Sequence, residues 1–251
     1  LGSMPDTYGY EVPEQRAQEM LKRFFQGPVN MLDTSRNYAM GESEKRIGTA
    51  IKGNGGWPEK FVLSTKIDRN MDTLILDKKR ARESIEESFK TLNVDSVDIL
   101  FLHDPEYVKD VNDVTDKDGA LDELFKIKEE GLAKAVGLAM GRIDIMFPIL
   151  KNWDFDVIIN HNRYTLLNRE ADEMYSYAHS KNISIFNAAP YAGGVLAKGP
   201  SNFKKITYQD VSEEKLAPVK EIEKICEKYN VEMGAAALQF SMKDKRITST
   251  I

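Results

Sequence analysis

Residues 61–103, FVLSTKIDRNMDTLILDKKRARESIEESFKTLNVDSVDILFLH, hold the pattern on which the fold turns. FVLSTK (61–66) opens the stretch as a short run rich in branched and aromatic side chains, and VDILFLH (97–103) closes it as a run apolar at nearly every position. A strand reads this way when both of its faces are buried. Between them RARESIEESFKTL (80–92) places Ala81, Ile85, Ser88, Phe89 and Leu92 three and four residues apart, the period of a helix with one inward face. Strand, helix, strand in this order predicts a parallel pair, because parallel neighbours need a crossover.

Working outward, the same alternation continues. Strand-like runs lie at VNMLD 29–33, AKAVGL 133–138, DVIIN 156–160, ISIFN 183–187 and ITSTI 247–251. Helical periodicity marks 13–25, 42–52, 120–131, 143–151, 169–180 and a long region 212–242 that breaks near Tyr229–Glu232. Seven strands are clear, and LGS (1–3) would supply an eighth. The expectation is an α/β fold, a (β/α)8 TIM barrel, as a single domain over 1–251. LGSM at the front and the abrupt ITSTI at the close predict barrel segments missing at both ends. A doubly wound open sheet is the competing architecture. It would favour a glycine-rich turn after the first strand, whereas GNGG (53–56) precedes a strand and lacks GxGxxG spacing. GGVLAKGPSNFKKITYQD (193–210) is long for a strand-to-helix connection and is a candidate binding loop.

Composition narrows the function. With 35 basic and 40 acidic side chains the net charge is -5, which argues against nucleic acid or an anionic membrane as partner. No apolar run approaches the roughly eighteen residues of a membrane span. Cys226 is the single cysteine, so no intrachain disulfide forms and a reducing, cytoplasmic compartment is expected. DVNDVTDKD (110–118) lacks the EF-hand order, and HExxH and CxxC are absent, so no metal is expected.

Polar residues at strand ends carry the chemistry, since a barrel of this class places its site there. The second strand ends in Asp33, the third in Lys66 and the fourth in His103, with Tyr38 on the loop after Asp33. Adjacent strands lie about 4.8 Å apart, so acid, amine and imidazole become neighbours on one rim. Taken singly, each has a plain structural reading as a turn residue, a solvated lysine or a satisfied histidine. Their shared position on successive strands favours function.

These residues resemble the aldo-keto reductases. The resemblance rests on Asp33-Thr34-Ser35, Tyr38, Gly41-Glu42-Ser43-Glu44 and Ile47-Gly48, and continues through VLSTK 62–66, VDILFLHDP 97–105 and ALDELFKIKEEGLAKAVGL 120–138. It extends to RYTLLNRE 163–170, APYAGGVLAKG 189–199 and ITSTI 247–251, and is nearest in wording to the aldose 1-dehydrogenase branch. What the resemblance implies is a nicotinamide-dependent oxidoreductase, with NADP as cofactor and NAD possible, acting on a small carbonyl or sugar substrate as a monomer or weak oligomer. Tyr38 would be the proton donor and acceptor, and His103 would orient the substrate oxygen. Lys66 would lower the phenol's pKa by its charge, and Asp33 would hold Lys66 protonated.

Some positions depart from the family pattern. Gly137-Leu138-Ala139-Met140 stands where a serine and an asparagine often hold the nicotinamide carboxamide. The resemblance then leaves Asn160 or His161 to take that role, and the backbone at Gly193, Gly194 and Val195 to approach the pyrophosphate. Two other readings stay open: a class I aldolase using Lys66 as a Schiff-base nucleophile, and a non-catalytic cofactor-binding regulatory subunit.

Overall fold

The computed structural model describes Leu1 and residues 10–251, which fall into two compact units, 1–139 and 140–251. In the first, helix α1 (Glu14–Gln26) precedes β1 (Met31–Asp33), and three helix–strand steps follow: α2 (Glu42–Gly53) to β2 (Val62–Ile67), α3 (Lys78–Leu92) to β3 (Val97–His103), and α4 (Ala120–Glu129) to β4 (Ala133–Met140). Every neighbouring pair is parallel, with Asp33 opposite Ser64, Lys66 opposite Phe101 and His103 opposite Ala139.

Local chemistry sets the boundaries. Asp77 accepts the Arg80 N–H at 2.8 Å and so caps α3, while Asn93 ends it in the left-handed conformation. Residues 63–67 of β2 are all buried, yet the two faces differ. Thr65 reaches back to Glu44 of α2 at 2.6 Å, which puts Leu63, Thr65 and Ile67 on the helix-packed side. Ser64 and Lys66 therefore share the opposite face. That alternation turns an apolar-looking strand into the carrier of a buried amine.

The second unit contains α5 (Ile143–Asn152), β5 (Val157–His161), α6 (Asp172–Ser180), β6 (Ser184–Ala188), α7 (Glu213–Lys228), α8 (Met233–Met242) and β7 (Ser249–Thr250), with β5, β6 and β7 again pairing in parallel. Asn187, on β6, ties this unit together by donating to Tyr164 O and Ser241 Oγ and accepting from the Tyr175 hydroxyl. The break expected near Tyr229–Glu232 falls between α7 and α8, where Asn230 adopts a positive φ of 52°.

All seven clear strands occur within a few residues of their expected bounds. Of the eighth, Gly2 and Ser3 lie outside the described residues. The stretch 193–210 is more ordered than a loop. It holds a helical turn (Val195–Lys198) and a two-stranded hairpin pairing Lys205–Ile206 with Gln209–Asp210. No described helix is long and apolar enough to cross a membrane.

Helices α2 and α3 approach closely at Gly48, where an added Cβ would run into the backbone carbonyl of Thr91. Gly48→Ala is therefore expected to destabilise the protein by about 1–3 kcal/mol through overpacking, despite alanine's better helix propensity. Urea denaturation of the variant measures this, and a neutral or stabilising effect would show that the helices can separate freely.

Candidate active site

The four strand-end residues converge within the first unit. Asp33 ends β1, Lys66 lies one residue before the end of β2, His103 ends β3, and Tyr38 opens a turn at Tyr38–Gly41. Lys66 is 1% exposed. Its Nζ donates to Asp33 Oδ2 and to the carbonyl of Thr34, each at 2.6 Å, and Ser64 Oγ donates to the other Asp33 oxygen at 2.6 Å. The same Nζ sits 4.6 Å from the centroid of the Tyr38 ring. Tyr38 in turn meets His103 edge-on, with centroids 5.7 Å apart and planes at 80°.

Tyr38 is followed by three residues in the left-handed region: Ala39 at φ 50°, Met40 at φ 55° and Gly41 at φ 93°. Only glycine takes this conformation without penalty, so Ala39 and Met40 hold strain of about 1–2 kcal/mol each. Met40 is 95% exposed and gains nothing from packing. The turn is fixed by hydrogen bonds from Tyr38 N to Ser35 O and from Met40 N to Asn37 O, and by the Arg36 guanidinium lying against Gly41. This strain sits directly after the phenol.

Electrostatics decide the protonation states. Burial works against the Lys66 charge, but Asp33 and Tyr38 outweigh it and hold the amine's pKa above its ordinary value. Removal from water pushes the Tyr38 phenol up to about 12, with the charge and hydrogen bond of Lys66 pulling the other way. This corrects the expectation that Lys66 brings the phenol below its usual value. The Asp33 carboxylate, bonded to the same amine, also raises the phenol and so opposes the ammonium's field.

One group escaped the strand-end reading. Asp68, fully buried just beyond β2, binds His103 Nδ1 through Oδ1 at 2.6 Å. Its Oδ2 accepts Ser35 Oγ at 2.6 Å and the Asn37 N–H at 3.0 Å. Its signal in the sequence is a second acid two residues after Lys66, and it is hidden because β2 runs on to Ile67 rather than ending at Lys66.

The other residues named from the sequence lie in the second unit. Asn160 and His161 close β5. Asn160 donates through Nδ2 to Met140 O at 2.9 Å and Gly141 O at 3.3 Å, while its buried Oδ1 has no donor among the described residues. Asn162, which the sequence reading did not single out, donates to His161 Nδ1 at 3.2 Å and likewise leaves a buried Oδ1 without a donor among the described residues. Two orphaned amide oxygens, two residues apart, suit an amide N–H2 group such as a nicotinamide carboxamide. Gly193 has φ 78°, and a Cβ there would lie 2.8 Å from Tyr208 N, so the adjoining hairpin demands this glycine. Gly194 has φ 119° and gives its N–H to Tyr191 O at 2.9 Å, and Val195 is fully buried.

Comparison with known proteins identifies the family. The Aldo/keto reductase family model matches residues 1–251, and the chain belongs to that family. It is 28% identical to a D-threo-aldose 1-dehydrogenase of a Pseudomonas species over 95% of this chain and 79% of the relative. It is also 28% identical to an L-galactose dehydrogenase of Arabidopsis thaliana, over 96% of this chain and 74% of the relative. Its fold matches that of an aldo-keto reductase from Bacillus halodurans in its holo form with a TM-score of 0.74, at 20% identity, covering 100% of this chain and 80% of that one. The fold is thus of the (β/α)8-barrel class, and the protein is an oxidoreductase acting on carbonyl compounds. The aldolase reading fails on physical grounds as well: a lysine buried, ion-paired and held charged has no lone pair to offer a carbonyl.

Lys66→Met should cost about 3 kcal/mol or more, because it leaves the Asp33 carboxylate, only 15% exposed, without its counter-charge. The double variant Asp33→Asn/Lys66→Met should regain part of that loss, as residues in direct contact are not additive. Equal destabilisation of the single and double variants in urea would contradict the pairing.

Proposed function

We propose that the chain interconverts an aldehyde or aldose carbonyl and its alcohol or lactone with NADP as hydride carrier, Tyr38 serving as proton donor and acceptor. One observation carries this reading: the Lys66 ammonium is fixed against Asp33 while lying 4.6 Å from the Tyr38 ring centroid. A sugar substrate is favoured by the two 28%-identical relatives, both named as sugar dehydrogenases. NADP over NAD rests on the family resemblance.

Asn160 and Asn162 would hold the nicotinamide carboxamide through their unpaired amide oxygens. We place the pyrophosphate along the backbone at Gly193, Gly194 and Val195, with His161 beside the amide. A bound nicotinamide would supply hydride chemistry at the carbonyl carbon. The chain's own residues manage the oxygen. His103 donates from Nε2 to the carbonyl oxygen and orients it, and Tyr38 gives that oxygen its proton. Lys66, locked by Asp33, stabilises the phenolate that remains.

A phenol at about 12 is fully protonated at neutral pH, so the resting enzyme is poised for reduction. Oxidation needs the phenolate, whose population grows about tenfold per pH unit below that value. The oxidative rate should therefore climb through the accessible alkaline range without reaching a plateau. A plateau below pH 10 would contradict the raised phenol.

Tyr38→Phe tests the proton role directly. Turnover should drop by about 10²-fold or more while cofactor titration by fluorescence quenching is unchanged. A variant that keeps a tenth of the wild-type rate would remove Tyr38 from the mechanism.

A further inference from the structure

Asp68 stands outside the four strand-end residues, yet it touches the supports of two of them. Its carboxylate accepts from His103 Nδ1 at 2.6 Å, from Ser35 Oγ at 2.6 Å and from the backbone N–H of Asn37 at 3.0 Å. Asn37 immediately precedes Tyr38. Asp68 is itself pinned: its N–H donates to Ser84 Oγ at 2.9 Å on α3, and its carbonyl accepts from Arg80 Nε at 3.2 Å. Asp68, Ser35 and Ser84 are fully buried. Such investment at a buried carboxylate calls for a reason beyond packing.

The donor–acceptor chemistry of the imidazole supplies it. An ionised carboxylate only accepts, so His103 Nδ1 carries a proton toward Asp68. On the other side of the ring, Asp104 Oδ2 lies 3.5 Å from Nε2 and also favours a proton there. Both ring nitrogens therefore face acceptors. We propose that Asp68 is a positioning residue that keeps His103 as an imidazolium presenting Nε2–H to the substrate oxygen, and that it couples this ring to Tyr38 through the Asn37 N–H. The inference rests on the reading of His103 as the donor to that oxygen.

The surrounding charges agree. Burial and the Lys66 ammonium disfavour the imidazolium, but the carboxylates of Asp68 and Asp104 outweigh them and hold the His103 pKa above its ordinary value. Burial likewise works against the Asp68 carboxylate, and His103, Ser35 and Asn37 overcome it to hold its pKa low. Tyr38 faces the same ring edge-on and is neutral. A charged donor makes a hydrogen bond roughly twice as strong as a neutral one, which matters most as negative charge grows on the carbonyl oxygen.

Deprotonation then has a defined outcome. With Nδ1–H locked on Asp68, the proton that leaves is the one on Nε2. The donor to substrate becomes a lone pair, so carbonyl reduction should fall as pH rises through the His103 pKa. Asp68→Asn alters this in a specific way. The new amide keeps its oxygen for Ser35 and Asn37 and turns its N–H2 toward Nδ1, which can then only accept. The ring becomes neutral with its proton on Nε2.

The test combines imidazole NMR of the resting protein with the pH dependence of carbonyl reduction. In the wild type, His103 should be protonated on both nitrogens at neutral pH. In Asp68→Asn its pKa should fall by about one to three units, with the remaining proton on Nε2. The kcat plateau should drop about tenfold, less than the 10²-fold expected for outright loss of a donor, and the alkaline fall should disappear. A His103 titration or alkaline limb unchanged by the substitution would overturn the proposal. Should Asp68→Asn not fold, the wild-type spectrum decides alone: a neutral ring at pH 7, in either tautomer, overturns it, and a doubly protonated ring supports it. Because the NMR titration needs no turnover, it remains informative if Tyr38→Phe proves active and the assigned reaction fails.

Discussion

A charged amine with almost no contact with water is the constraint around which the first unit is organised. Lys66 carries its charge at 1% exposure because three oxygens or rings surround it: the Asp33 carboxylate, the Thr34 carbonyl and the Tyr38 face. Burying an ion costs several kcal/mol unless its partners are fixed in advance. The parallel register does that fixing. Asp33 ends β1 level with Ser64, and Ser64 shares a strand face with Lys66, so both can bond the same carboxylate. Remove the register and the amine has no tenable place.

The pair also sets what Tyr38 can do. An isolated ammonium beside a phenol would favour the phenolate, but this ammonium is bonded to a carboxylate and all three groups share a poorly solvated space. Burial wins, and the phenol remains an acid. A second buried carboxylate, Asp68, does the complementary work on His103. Two acids thus support two donors, one tuned by an amine and the other by direct contact. The strained turn at Ala39–Met40 is the backbone cost of bringing Tyr38 back over the strand ends.

Much of this was readable from residue order, for reasons that can be named. Parallel strands buried on both faces leave unbroken apolar runs, so 97–103 identified itself to the residue. Asp33 and His103 were legible because each closes its strand, and Lys66 because it lies one residue short of the end of β2. Asp68 was not, since it follows Ile67 and looks like ordinary loop polarity until the strand end is known. The net direction of the Tyr38 pKa was equally hidden. It depends on how much water reaches the hydroxyl, which no spacing of residues encodes. The hairpin at 205–210 was missed because two-residue strands carry no periodicity, and only the close approach of Gly193 to Thr207–Tyr208 reveals what that glycine is for. Asn162 was obscured in the same way: its role emerges from an oxygen left without a donor, a property of packing rather than of sequence.

The central claim is that burial outweighs the Lys66 charge at the Tyr38 hydroxyl. Carbon-13 NMR of the tyrosine ring, with the Tyr38 signal assigned by its loss in Tyr38→Phe, reads this protonation state without any assumption about substrate. The account predicts a Tyr38 signal still in the phenol form at pH 10. A phenolate signal already dominant by pH 9 would mean that the ammonium governs the hydroxyl after all, and would contradict it.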